Sequence, residues 1–393
     1  MKWINKGNEE LLGDFNMTYI DNVKKFCIYG AGKLGGDLYK TLKHYGLFDC
    51  FIDNNRELQE IGYKDEIVLS EESYFNKNTG SIIIICVSSK NCFIIEDNLK
   101  RRGLVHNKDY YIYKDFIDKI LPVLVYRKFN QLFMNLAQIC VTERCTLKCK
   151  KCAHGCYNVS SLEEDMTLDQ VKESADIFFS KVDYIHEFVL IGGEPMLYKN
   201  LYDAIKYIGN KYRNRMNIFS ITTNGTIMPS QELMRQCKEQ DVLIRVSNYS
   251  STLSKLVVQY SKLEKLFIEN NIQFRMGKKE SEWMDYGFDN YKRTCNNAQL
   301  IEVFDACRTP CHEIRENEFY YCVMARSVAE NLNFNVGKED YLDFNELTSD
   351  NWKRELLEFL LGYSEKGYLE MCRYCHGAEV DKYVIPAAEQ VER

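Results

Sequence analysis

The chain has 393 residues, a 45% hydrophobic share, 27% charged residues and a net charge of −6. That balance describes a folded protein of two or three domains with ample cores, and the acidic excess argues against nucleic acid as a main partner. Met1–Asn16 carries charge throughout and Ile82–Val87 is the longest apolar run, so neither a secretory signal nor a membrane span is expected.

Sixteen cysteines in a chain read as cytoplasmic point to reduced thiols and metal ligation rather than disulfides. They bunch around 140–156 and 295–375. Cys27, Cys50, Cys86 and Cys92 lie apart from both groups and read as small buried apolar residues.

In chain order, residues 24–53 come first. An apolar strand Phe26–Tyr29 runs into Gly30, Gly32 and Gly35, then a helical pattern to about Leu47 and a strand Cys50–Ile52 ending at Asp53. Glycines so spaced permit a tight turn and let backbone N–H groups approach a phosphate at the helix N-terminus. Asp53 stands where an acid holds ribose hydroxyls. A strand Ser81–Ser88 and a helix near Phe93–Arg102 close the unit by about Tyr113, barely more than half of a dinucleotide domain. The G-A-G-x-x-G turn and F-I-D-N-N strand end resemble the short Rossmann-like domains that precede sugar-modifying enzymes in bacterial surface-polysaccharide pathways. That resemblance implies a nucleotide or nucleotide-sugar ligand; the alternatives are a scaffold with an empty crevice and, behind it, a redox NAD site.

Residues 115–134 read as an amphipathic connector broken at Pro122. From Leu136 to about Phe304, strand-like runs at 136–141, 187–192, 217–223, 241–247, 272–276 and 300–305 alternate with amphipathic stretches such as Leu168–Phe179, Leu201–Tyr212 and Leu253–Asn270. Such alternation predicts parallel strands with crossover helices: an α/β fold, a partial (β/α)6 TIM-type barrel with its chemistry at the C-terminal strand ends.

Those ends carry the motifs. Cys145, Cys149 and Cys152 follow the first strand as C-x3-C-x2-C, a spacing that suits a soft metal or an iron–sulfur cluster. Cys156 extends the run, but neither the ferredoxin spacing nor the paired zinc layout is met. His154 is left without a role. Gly192-Gly193-Glu194-Pro195 ends the second strand, Thr223-Asn224-Gly225 the third and Ser247-Asn248 the fourth. Arg144, Lys148, Lys150 and Lys151 surround the cysteine loop, either as a solvated rim or to attract an anionic substrate.

Taken in order, these motifs resemble the radical S-adenosylmethionine (radical SAM) superfamily. The resemblance implies that Cys145, Cys149 and Cys152 hold a four-iron cluster whose open iron chelates S-adenosylmethionine (SAM). Gly192, Gly193, Glu194 and Pro195 would then meet the SAM amino group, with Glu194 as its charge partner. Thr223, Asn224 and Ser247 would lie near its ribose and carboxylate. Reductive cleavage would give a 5′-deoxyadenosyl radical that abstracts a substrate hydrogen, the electron coming from a flavodoxin or ferredoxin. Lys151 departs from the aromatic residue many members carry there.

After about Tyr291 come Cys295, Cys307, Cys311, Cys322, Cys372 and Cys375. A hairpin turning at Glu316-Asn317 would set Cys311 opposite Cys322, with Cys372-x2-Cys375 as a second pair. This resembles the Twitch half of the SPASM extension and implies one auxiliary four-iron cluster on Cys311, Cys322, Cys372 and Cys375. Cys307 is the alternate for Cys311, and a structural zinc suits four thiols equally. Trp283, Asp285 and Tyr286 sit in a polar loop that could reach the barrel mouth, with Trp283 either a substrate wall or a buried loop anchor.

The expected domains are thus 1–114, a connector 115–134, a barrel 135–290 and a cysteine-rich extension 291–393. The expected function is radical SAM chemistry on a sugar or nucleotide-sugar: epimerisation, dehydrogenation or dehydration. The alternatives are maturation of a ribosomally made peptide, or a non-catalytic iron–sulfur or zinc scaffold with a nucleotide-sensing Rossmann unit.

Overall fold

The computed structural model describes residues 25–77, 80–279, 282–288, 294–307, 311–335, 337–364, 366–377 and 383–392. The chain divides into two compact units that part between Asn135 and Leu136.

In the first unit, β1 (Phe26–Tyr29), α1 (Lys33–His44), β2 (Phe48–Ile52), α2 (Arg56–Ile61), β3 (Val68–Leu69), α3 (Glu71–Lys77), β4 (Ile82–Ile85), α4 (Ser89–Arg101) and β5 (Tyr110–Ile112) alternate. The strands form one parallel sheet in the order β3-β2-β1-β4-β5. β1 and β4 are apolar and buried along their whole length, as strands covered on both faces must be. The order reverses between β1 and β4, and a crevice opens outside their carboxyl ends. Gly30 has φ +118, and a Cβ there would lie 2.6 Å from the Cys86 carbonyl. At Gly35 it would lie 2.0 Å from the Gly30 carbonyl, so α1 packs against the turn only without a side chain. Cys27, Cys50 and Cys86 are buried, as expected, whereas Cys92, on α4, is only half-buried.

The connector is not broken at Pro122. A helical turn Tyr113–Asp115 passes through a π turn Phe116–Ile120 into α5 (Leu121–Phe129), with Pro122 in the first turn of α5. The wider π turn sits where proline has no N–H to donate, so the helix continues past it.

The second unit is built on an eight-stranded sheet in the order β10-β9-β8-β7-β6-β12-β13-β14. Its barrel part comprises β6 (Phe133–Cys140), α6 (Leu168–Lys181), β7 (Tyr184–Ile191), α7 (Leu201–Tyr212), β8 (Met216–Thr223), α8 (Gln231–Glu239), β9 (Val242–Asn248), α9 (Leu256–Glu269) and β10 (Phe274–Lys279). β7 through β10 pair in parallel, giving the expected partial barrel. Phe178 and Phe179 of α6 pack on Phe188 of β7 to form the helix-side core. On β7, β8 and β9, Glu187 accepts from Ser220 Oγ (2.6 Å) and from both Nε and Nη2 of Arg245 (2.6 Å each).

The run 300–305 is a helix, not the sixth strand expected. Asn296 and Gln299 close a capping box on α10 (Asn297–Asp305), whose Leu300 and Phe304 are buried one helical turn apart. Beside β6 lies β12 (His312–Arg315) instead, parallel to it. It forms a hairpin with β13 (Glu318–Tyr320), in the expected register across Glu316-Asn317. Then follow α11 (Val323–Leu332), β14 (Tyr341–Asp343) and α12 (Trp352–Leu360). A separate antiparallel pair joins β11 (Glu282–Met284) to β15 (Val384–Pro386).

Candidate active site

The cysteine loop leaves β6 and is zipped to the loop after β7. Val141 N donates to Ile191 O (2.8 Å), Gly193 N to Thr142 O (2.8 Å) and Glu194 N to Arg144 O (2.9 Å). A Cβ at Gly192 would stand 2.4 Å from Thr142 O, and one at Gly193 2.4 Å from Arg144 O. Both glycines are therefore required by the closeness of the two backbones.

Cys149 is buried, and Cys145 and Cys152 are half-buried against Leu147, Ala388, Tyr249, Leu253 and Trp283. Trp283 meets Tyr249 edge-on at 5.2 Å and packs beside the cysteine loop. Leu147 N (3.4 Å) and Asn224 Nδ2 (3.5 Å) donate to Cys145 Sγ, and Gln390 Nε2 (3.2 Å) donates to Cys149 Sγ. Burial pushes the Cys145 thiol up to about 11 and the Cys149 thiol up to about 12. The hydrogen bond from Cys156 takes Cys152 down to about 6.

This donor set fits the cluster. Three soft ligands lie buried or half-buried on one loop, with N–H groups already aimed at two of the sulfurs. Among the described residues, Cys27, Asp49 and Cys50 of the first unit bring one ligand atom each within 4.8 Å of one another, with Ser81 on Asp49.

Glu194 is wholly buried. Its carboxylate accepts from Thr223 Oγ1 (2.7 Å), Asn224 N (2.8 Å) and Met196 N (3.1 Å), and burial holds its pKa above the usual range. It ties the β7 end to the β8 end. Thr223 Oγ1 also accepts from Gly225 N (3.0 Å), and Asn224 Nδ2 reaches Thr146 Oγ1 (3.1 Å). Pro195 opens the short turn Pro195–Leu197, and Ser247 lies half-buried at the end of β9. Cysteine loop, G-G-E-P, Thr223-Asn224 and Ser247 thus gather at the carboxyl ends of successive strands.

The basic rim is partly exposed, and each of its side chains has a partner in the chain. Arg144 makes a two-pronged pair with Asp165 (2.9 and 2.6 Å) and reaches Leu197 O (3.2 Å). Lys148 Nζ donates to the carbonyls of Cys156 and Val159, Lys150 pairs with Glu389 (2.6 Å), and Lys151 meets Gly287 O (2.9 Å) and Asp285 (3.4 Å).

Sequence reasoning missed the polar network beneath the loop. Arg326 of α11 is fully buried and pairs with Glu143, Glu313 and Glu330, while Asn331 Nδ2 donates to Glu143 (2.9 Å) and His154 O (2.7 Å). His154, unassigned from sequence, hydrogen-bonds Ser327 through Nδ1 (3.1 Å) and so anchors the loop to the same helix. Only the run of Arg326-Ser327 inside an apolar helical stripe signals this in the sequence.

A second apolar cavity is lined by Cys307, Cys322, Cys372 and Cys375, with Tyr286, Phe304 and Met371. Cys311 does not line it, although Val323 N donates to Cys311 O (3.0 Å) as the hairpin requires. The hairpin has the expected register, and Cys307, at the end of α10, lines the cavity with the other three thiols, while Cys311 packs beside Cys322 and Cys375. Burial raises the Cys322 and Cys372 thiols well above their ordinary range. Cys295 packs on Leu300 and Phe304 and does not line the cavity.

In the first unit, Gly30, Asp53, Asn54 and Asn91 line the crevice at the β1/β4 ends with Tyr29 and Ile94. Asp53 Oδ2 accepts from Ala31 N (2.8 Å) and Oδ1 from Asn55 N (2.9 Å), so its carboxylate braces the glycine turn. Gly32 caps α1 with open space beside it.

A parallel strand–helix barrel with three thiols after its first strand and G-G-E-P after its second defines the radical SAM class. Residues 139–252 match the family model of the Radical SAM superfamily, so the chain carries a radical SAM domain. That family works with a 4Fe–4S cluster and SAM. Among curated proteins the chain is similar to GTP 3',8-cyclase of Erythrobacter litoralis, 29% identical over 89 residues, 23% of this chain and 26% of that one. To the enzyme of the same name from Rhizobium etli it is 26% identical over 89 residues, 23% and 25% of the two chains. The match thus spans about a quarter of those relatives' length. Among solved structures, native anSMEcpe with bound AdoMet aligns at 13% identity over 62% of this chain and 91% of that one, TM-score 0.40. BtrN in complex with AdoMet and 2-DOIA aligns at 16% over 66% and 97%, TM-score 0.39. No helix among the described residues is long and apolar enough to cross a membrane.

Proposed function

We propose that this chain is a radical SAM enzyme acting on a sugar or nucleotide-sugar, reduced by a flavodoxin or ferredoxin in the cytoplasm. The observation that carries the reading is the enclosed three-thiol site, with N–H donors on Cys145 and Cys149 and the G-G-E-P loop zipped to its base. When bound, the cluster and SAM supply a 5′-deoxyadenosyl radical that takes a hydrogen from the substrate. The chain's own part is to hold and shield them: Cys145, Cys149 and Cys152 ligate, Glu194 fixes the strand ends, and Trp283 and Leu147 exclude water. Cys307, Cys322, Cys372 and Cys375 would hold an auxiliary cluster. The crevice lined by Gly30 and Asp53 supports a nucleotide-linked substrate, because it lies where open parallel sheets bind such ligands.

The test is anaerobic iron and sulfide content with dithionite-driven SAM cleavage, on wild type and on a Cys145/Cys149/Cys152→Ala variant. About eight irons and 5′-deoxyadenosine from wild type, against about four irons and none from the variant, is expected. Zinc in place of iron, or undiminished cleavage by the variant, would overturn the proposal in favour of a metal scaffold. Substrate class is tested by deuterium transfer into 5′-deoxyadenosine from deuterated nucleotide-sugars; transfer from a peptide instead would overturn that part.

A further inference from the structure

The segment after β15 lies along the cysteine loop. Lys150 N donates to Glu389 O (2.7 Å) and Val391 N to Lys148 O (2.8 Å), so residues 389–391 run as an extra antiparallel bridge with Cys149 opposite Gln390. Ala388 is fully buried against Leu147 and Cys149, and Lys150 Nζ pairs with Glu389 (2.6 Å). The side chain of Gln390 is fixed at both ends. Its Oε1 accepts from Lys148 N (2.8 Å), and its Nε2 donates to Ala388 O (2.7 Å) and to Cys149 Sγ (3.2 Å). An amide held this way cannot turn to present its oxygen to the sulfur without losing the Lys148 bond. The geometry of a donor, not an acceptor, is therefore imposed on the thiolate.

We infer that Gln390 is a positioning residue for the three-cysteine site, setting the reduction potential of a cluster held there through its hydrogen bond to Cys149. The inference rests on the cluster reading above. Reduction adds negative charge to a cluster, and a donor on a ligand sulfur stabilises the more negative state, which raises the potential. No substrate contact is required of Gln390. The segment 388–391 also covers Cys149, so donor and seal are one element.

The experiment is a redox titration followed by electron paramagnetic resonance on the anaerobically reconstituted full chain. The relevant signal is the one absent from the Cys145/Cys149/Cys152→Ala variant. Gln390→Met removes the donor with an apolar side chain of similar length, and Gln390→Glu keeps the oxygen for Lys148 N while removing the donor. Both should hold wild-type iron and shift the midpoint to more negative values, about 59 mV for each tenfold change in the one-electron equilibrium. Glu389→Gln, which breaks only the Lys150 pair, should leave the midpoint unchanged. An unchanged midpoint in both Gln390 variants at full iron content overturns the inference. So does a fall in the apo chain's denaturation midpoint with loss of iron, since the residue would then be merely structural. Loss of the cluster with the apo stability intact, while Glu389→Gln keeps it, supports the positioning role. A wild type lacking the cysteine-dependent signal overturns the cluster reading itself, a failure distinct from the others.

Discussion

Glu194 is held by Thr223 and two backbone amides, and nothing else among the described hydrogen bonds reaches its carboxylate. Thr223→Val should therefore leave a buried oxygen short of a donor and cost about 1–3 kcal/mol, read by denaturant unfolding, with weaker SAM binding. Thr223→Ser should restore both. Gly193→Ala meets a harder limit, because the obstructing atom is the backbone oxygen of Arg144. We expect it to lose about 1–3 kcal/mol and to lower iron per chain, since the cysteine loop must move to admit the methyl. The three cluster cysteines and G-G-E-P were legible because their contacts are local in sequence and their spacing is the chemistry. Gln390 was not, since its bond to Cys149 crosses 241 positions and leaves no periodic trace. That Cys307 lines the second cavity was hidden because it follows from the direction of an element read from sequence as a strand.

That element is α10. Leu300, Ile301, Val303 and Phe304 form a short apolar run that periodicity alone cannot assign to strand or helix. The deciding signal was upstream, in the N-x-x-Q box of Asn296 and Gln299. Asn296→Ala should cost about 1 kcal/mol by fraying the first turn, and should lower occupancy of the second metal cavity, which Val303, Phe304 and Cys307 line. Metal analysis of that variant in a Cys145/Cys149/Cys152→Ala background isolates the effect; full occupancy would show that the helix start does not govern Cys307. The other barrel elements were legible within a few residues, α7 to the residue, because buried parallel strands and amphipathic helices alternate cleanly. The π turn before Pro122 was hidden, since no residue type announces a widened helical turn.

At the scale of the molecule, the cysteines proposed as cluster ligands all lie in the second unit, whereas the glycine crevice lies in the first. A ligand stabilises only the unit that binds it in the folded state. Where calorimetry resolves two transitions, cluster loading should raise one and leave the other in place, and a nucleotide-sugar should do the reverse. A shift of both by iron would contradict the assignment of every ligating cysteine to one unit. The continuation of the barrel sheet into the β12–β13–β14 hairpin was not legible. Its defining pair, Ala137 with His312, joins strands far apart in sequence, and both read as ordinary strand residues.

The pairing of the rim has a kinetic corollary. Arg144, Lys150 and Lys151 each face a carboxylate, and Lys148 is turned onto carbonyls, so little of their field reaches outward. Long-range capture of an anion would decline steeply as added ions shorten the screening length to about 8 Å at 0.15 M ionic strength. Here the entry rate of a charged substrate past this rim should be nearly flat with added salt. Selection would then fall to fit at short range rather than to attraction at a distance.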